Sequence, residues 1–250
     1  MGRIGRQDIR WAMAKVKLIN RSKMLTRMNE ALEVDFSRSA VIQIDMHKFQ
    51  MDAEYSTFPQ DVANRILPVT AEFLDECRDL GLPVIHVMVY KRDLDKRGNL
   101  RTEAVNRTGK AYTPYGFPKK PNYDTGTAEG EFEWDVMPVL GPKEGDYVIN
   151  QKKQETTSLL STDLEHLIRS LDVDTFFVVG INTNNCVSNF CFDASDRMWT
   201  PILISDCVGS VHGEDLHEFA LQNIPRTLGF AMSSEEAVGK IKRAKKSAKA

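Results

Sequence analysis

Short apolar runs alternate with longer amphipathic runs along most of this chain, and that alternation narrows the folds open to it. Residues 40–44, 84–90, 147–149, 175–179 and 201–204 read as buried strands. Residues 62–80, 160–171, 187–199 and 216–224 read as helices. In the first helix Ile66, Val69, Phe73, Leu74 and Cys77 recur at helical spacing, and Gly81 followed by Pro83 stops the run. In the third, Val187, Phe190, Cys191, Ala194 and Met198 line one face, which assigns Cys191 to the core. Strands that alternate with helices predict an α/β fold whose parallel sheet is covered on both faces. The 250 residues suffice for one such domain with ample core, and no internal repeat divides them.

Charge and cysteine usage exclude several classes. Lys and Arg number 33 against 35 Asp and Glu, so no global field attracts nucleic acid. The four cysteines, Cys77, Cys186, Cys191 and Cys207, form no CxxC pair and have no metal-ligand spacing. They read as reduced thiols of a cytoplasmic protein. No apolar stretch approaches the roughly 20 residues of a membrane span, and no secretory apolar core is present. Segments 1–38 and 239–250 stand apart by their basic character. In the first, Arg3, Arg6, Arg10, Lys15, Lys17, Arg21, Lys23 and Arg27 face a single early acid, Asp8, over residues 1–27. It reads as an arm that packs on a neighbouring subunit, with a targeting segment or a frayed helix as alternatives. The second, with Lys240, Lys242, Arg243, Lys245 and Lys246, reads as a solvated tail. Residues 91–133 lack periodicity and read as a lid or subunit-contact loop, in which Tyr112, Tyr115, Phe117 and Tyr123 are candidate pocket walls.

Three segments carry chemistry. The run 175–179 leads into Gly180-Ile181-Asn182-Thr183-Asn184-Asn185-Cys186-Val187, and a helix follows. A cysteine at a strand-to-helix turn meets unpaired N–H groups and a partial positive charge, which favour thiolate and can hold an oxyanion. A buried structural cysteine is the ordinary alternative. Val41-Ile42-Gln43-Ile44 ends in Asp45, at the carboxyl end of a strand, where open parallel sheets gather functional groups. Such a carboxylate can act as base towards a thiol; it can equally be a turn residue. Tyr147-Val148-Ile149-Asn150-Gln151 ends in Lys152 and Lys153. A lysine there would stabilise both anions, although a solvated lysine pair is the commoner case.

Together these segments resemble the isochorismatase-like cysteine hydrolases, a family that includes nicotinamidases, N-carbamoylsarcosine amidases, biuret hydrolases and ureidoacrylate amidohydrolases. The matching pieces run in the family's order: residues 40–46, 81–87, 134–140, 145–149, Thr162-Asp163-Leu164, and Gly180-Ile181-Asn182-Thr183 with Cys186-Val187. The resemblance implies a three-layer α/β/α sandwich around a mainly parallel sheet of about six strands. It implies a catalytic triad of Asp45, Lys153 and Cys186. Counting back from Thr157 selects Lys153 over Lys152, and leucine at Leu159 or Leu160 replaces the family's aromatic. It also implies an oxyanion hole from the backbone N–H groups of Asn182 and Cys186, with a cis peptide at Ile181–Asn182.

The function implied is hydrolysis of the C–N bond of a small linear amide or ureido compound through a thioester, by an amidohydrolase that forms dimers or tetramers. Trp134, Leu159 and Arg226 are the candidate substrate contacts, Arg226 for a carboxylate. No cofactor is expected. No metal is expected either: the chain has only His47, His86, His166, His212 and His217, no histidine pair follows the second strand, and Asp52 alone is not a site. His86, within a strand, reads as a core histidine. Nicotinamidase- or isochorismatase-type hydrolysis and a non-catalytic assembly role are the alternatives.

Overall fold

The structure is a computed structural model, and it describes residues 19–54, 56, 60–89, 135–152, 157–160 and 162–248, with backbone alone at Phe49 and Gln151. Residues 1–18, the loop expected at 91–133, Trp134 and Lys153 lie outside the described residues. The strands are β1 (Ser39–Ile44), β2 (Val84–Val89), β3 (Tyr147–Lys152), β4 (Thr175–Ile181), β5 (Thr200–Gly209) and β6 (Phe230–Met232). They form a six-stranded sheet in the order β3-β2-β1-β4-β5-β6. Every neighbouring pair is parallel. Strand order reverses direction between β1 and β4, which opens a crevice at their carboxyl ends.

The helices are α1 (Ser22–Ala31), α2 (Lys48–Met51), α3 (Asp61–Leu80), α4 (Leu164–Ser170), α5 (Ser188–Asp196), α6 (Glu214–Thr227) and α7 (Ser234–Ser247). Side chains alternate between the two faces of each strand, and each face has its own cover. Val41, Val84, Phe177, Val179 and Ile202 pack with Ile66, Phe73 and Leu74 of α3 and with Ala237 and Ile241 of α7. Ala40, Ile42, Ile85, Phe176 and Val178 pack with Leu164 and Ile168 of α4, Phe190 and Cys191 of α5, and Ala220 and Ile224 of α6. This is the three-layer α/β/α sandwich that the strand–helix alternation and the resemblance imply. β6 escapes the reading of the sequence because three residues carry no measurable period.

The terminal segments differ from expectation. Residues 239–247 are not a solvated tail but the body of α7, on which Ile241 is wholly buried. Ala237 and Ile241 recur at i and i+4 among the lysines and turn one stripe inward. Lys240 and Lys245 lay their stems along the protein and donate to Leu32 O and Leu80 O, at 3.2 and 2.6 Å. Ser233 caps the helix by accepting from the Glu236 N–H. The described part of the 1–38 segment packs on its own chain. Asn29 Nδ2 donates to Ala231 O of the edge strand β6 at 2.8 Å, and Arg21 reaches Gln222 of α6 at 2.9 Å.

Ile241 therefore belongs to the core. Ile241→Ala is expected to destabilise the fold by about 2–5 kcal/mol, read from urea denaturation. Unchanged stability would return this segment to the role of a tail.

Candidate active site

Asp45 follows directly on the last residue of β1, with φ 53 in the left-handed region. Aspartate tolerates that region better than most residues, and its occurrence off a strand end is a local outlier of the kind found at functional sites. Its N–H donates to Val87 O of β2 at 3.0 Å, which anchors it to the sheet. On the other side Ile44 is in register with Gly180 of β4. Gly180 has φ +125, and a Cβ there would lie 2.2 Å from Ile44 O. Only glycine permits both this dihedral and this approach of the two strands.

The lysine reaches Asp45 through a register shift. β2 and β3 pair as Val87 with Ile149, then as Val89 with Lys152, so β3 carries one extra residue. In an unbroken strand Lys152 would point away from the face of Ile149. The bulge brings it round to that face, as bulges beside functional sites do. Lys152 is wholly buried, and its ammonium donates to Asp45 Oδ2. The lysine on Asp45 is Lys152; Lys153, which the sequence count selected, lies outside the described residues. The count ran back from Thr157, whereas the bulge in β3 is what turns Lys152 inward.

Cys186 lies in a π-helical turn, Thr183–Val187, between β4 and α5. Such turns are short and recur at functional sites. The turn is held from several sides. Asn182 O accepts from the N–H groups of Asn185 at 2.9 Å and Val187 at 3.3 Å. Asn182 Oδ1 accepts from the Val211 N–H at 2.9 Å. Ser210 Oγ donates to Asn184 Oδ1 at 2.6 Å, and Ser188 Oγ to Thr183 O at 2.6 Å. Thr183 Oγ1 pairs with His217 Nδ1 of α6 at 2.8 Å. The Ile181–Asn182 peptide is cis.

The electrostatics follow from burial. Burial pushes the Asp45 carboxyl up, but the Lys152 ammonium, helped by His47 and Cys186, more than reverses this and holds it below the usual carboxylate range. Burial pulls Lys152 down, and the charges of Asp45 and Cys186 raise it on balance. The resting pair is a carboxylate and an ammonium. Burial and the adjacent Asp45 charge push the Cys186 thiol up. This departs from the thiolate expected at a helix start: Cys186 precedes α5, is buried, and sits beside an anion. Asp45 Oδ1 is buried and, among the described residues, takes no hydrogen bond of normal length. His47 Nε2 lies 3.7 Å from it and accepts from the Val89 N–H at 3.2 Å.

The remaining candidates divide. Leu159 is buried in the same apolar cluster as Cys186, whereas Leu160 is exposed. Cys191 is core, as its helical spacing implied. His86 is a partnered core histidine, with its ring nitrogens 3.0 Å from Gln43 Oε1 and 2.9 Å from Asp146 Oδ2. Arg226 is exposed near the end of α6, nine residues beyond His217 and so roughly 13 Å along the axis from the end that touches the Cys186 turn. Among the described residues, Glu214, His217 and Glu218 gather potential metal ligands on α6. His47 and His217 were passed over as site neighbours in the sequence, because lone histidines carry no spacing signal.

Replacing Lys152 by Met leaves Asp45 buried and uncompensated. A loss of about 3–5 kcal/mol is expected, and a smaller one for Lys153→Met. Equal losses in chemical denaturation would remove Lys152 from the pair.

Comparison with known proteins agrees with this geometry. Residues 39–236 match the isochorismatase domain model. A ureidoacrylate amidohydrolase of Methylobacterium radiotolerans is 28% identical over 54% of this chain and 58% of its own length. A maleamate amidohydrolase of Pseudomonas putida is 27% identical over 42% of this chain and 47% of its own. The chain thus spans about half the length of these curated relatives. A crystal structure of a cysteine hydrolase from Pseudomonas syringae superimposes with a TM-score of 0.69 at 22% identity, covering 85% of this chain and 96% of that one. With its sheet order, its switch-point carboxylate and a family match over most of its length, this chain belongs to the isochorismatase family.

Proposed function

We propose that the protein hydrolyses the C–N bond of a small linear amide or ureido compound, with Cys186 as nucleophile. One observation carries this reading. Asp45 is a buried carboxylate that gives one oxygen to Lys152 and keeps the other without a normal hydrogen bond beside a buried thiol. A buried acceptor whose nearest described ion-pair partner, His47, stands 3.7 Å away is available to a further donor. A thiol whose pKa is raised needs a base in contact, and Oδ1 is that base.

The steps balance as acyl transfer. Asp45 takes the proton of Cys186, and sulfur attacks the amide carbon. The oxyanion is held by the backbone N–H groups of Asn182 and Cys186. The C–N bond breaks, the nitrogen takes the proton back from Asp45, and ammonia or an amine departs. Water then gives a proton to Asp45 and attacks the thioester. The sulfur leaves and regains that proton. Lys152 stays charged throughout and offsets the negative charge that moves between carboxylate, sulfur and oxyanion. Leu159 gives the pocket an aliphatic wall. The amidohydrolases of ureidoacrylate and maleamate among the relatives support an acyclic amide as substrate.

The test is ammonia release from biuret, N-carbamoylsarcosine, ureidoacrylate, maleamate and nicotinamide. The parent is expected to release ammonia from at least one acyclic amide. Cys186→Ala and Asp45→Asn are each expected to lose at least about 10³-fold in kcat, as when one member of a nucleophile–base pair is removed. Full activity in Cys186→Ala would refute the cysteine mechanism, and turnover of nicotinamide alone would refute the substrate class.

A further inference from the structure

We infer that His217 is a positioning residue for the Cys186 turn; the inference rests on the amidase reading of that site. His217 is 1% exposed and Thr183 wholly buried, yet they belong to elements 34 residues apart in sequence. Their side chains meet at 2.8 Å, Thr183 Oγ1 to His217 Nδ1. Thr183 opens the π-helical turn and is joined directly to Asn182, so in sequence it lies between the two proposed oxyanion donors, Asn182 and Cys186. Its carbonyl is held by Ser188 Oγ at 2.6 Å. The peptide planes on either side of Thr183 are held through Asn182 O and Thr183 O, and the contact with His217 fixes the Thr183 side chain against them.

The rest of α6 is consistent with this role. The His217 N–H donates to Gly213 O at 3.1 Å, which seats the ring in the first turn of the helix. Burial pulls the ring's pKa down, against the charges of Glu214 and Glu218. A neutral ring serves either way, accepting from Thr183 or donating to it. Deleting it would strand a buried hydroxyl in the turn that must place two N–H groups on one oxygen. Small displacements of such groups cost large factors in rate: about 1 Å can cost 10²-fold.

Steady-state kinetics on the best amide of the panel, with the parent, His217→Leu, His217→Asn, Thr183→Val and the double variant His217→Leu/Thr183→Val, tests this. Asparagine can offer a polar atom near the place of Nδ1, and leucine cannot. For His217→Leu, kcat is expected to fall about 10- to 100-fold with KM within about twofold. His217→Asn should recover most of that loss. The double variant should be no worse than the poorer single one, since both remove the same contact. Activities are taken per folded molecule, with Tm measured alongside. An unchanged kcat with lowered Tm, equal losses in the Leu and Asn variants, or additive losses in the double variant would each overturn the positioning role. A parent that turns over no amide would instead overturn the amidase reading, and this inference with it.

Discussion

The ion pair between Asp45 and Lys152 is the interaction around which the site is built. Both side chains are withdrawn from water, which costs several kcal/mol per ion before any return. Neither charge is tolerable there without the other, so the elements that bear them must meet in one geometry. That geometry is available because β1 and β3 flank β2 in one parallel sheet and end on the same edge. A buried pair of this kind is weak evidence for stability. Its retention beside a buried thiol is better explained by chemistry, since it keeps a carboxylate ionised where burial alone would protonate it.

Two local devices adapt the sheet to that pair. The extra residue in β3 turns Lys152 onto the face it needs. The glycine at 180 lets β4 run against Ile44 closely enough for the Cys186 turn to sit over the end of β1. Each departs from regular strand geometry, and each lies within a few residues of the reacting groups. The π-helical turn is a third departure, and hydrogen bonds from the segment after β5 and from α6 hold it in place. The regular parts of the fold supply rigidity, and the irregular parts aim the side chains.

Much of this was legible in the chain. Residues 40–44 and 175–179 read as buried strands because apolar, β-branched runs bounded by turn residues have few other uses. Cys186 after a strand and Asp45 at the end of another could be picked out because functional groups collect at the carboxyl ends of parallel strands. Cys191 could be set aside by its helical phase. The expectation for the C-terminal lysines failed for a different reason. Charge counting saw the exposed face of α7 and missed Ala237 and Ile241, whose spacing was present in the sequence but outweighed by composition.

The sequence by itself determined the class of fold and the order of its pieces, and it singled out Cys186 and Asp45 as candidates, because these depend on local periodicity and on residue type at element ends. Only the tertiary structure placed Lys152 on Asp45, since a bulge is a property of two paired strands and not of one. It alone brought His217 to the Cys186 turn, because reach across 34 residues depends on how α6 docks there. It also set the protonation of the site. A thiol that a helix start would ionise is kept protonated by burial and by the neighbouring carboxylate, and neither can be read from a chain before it folds.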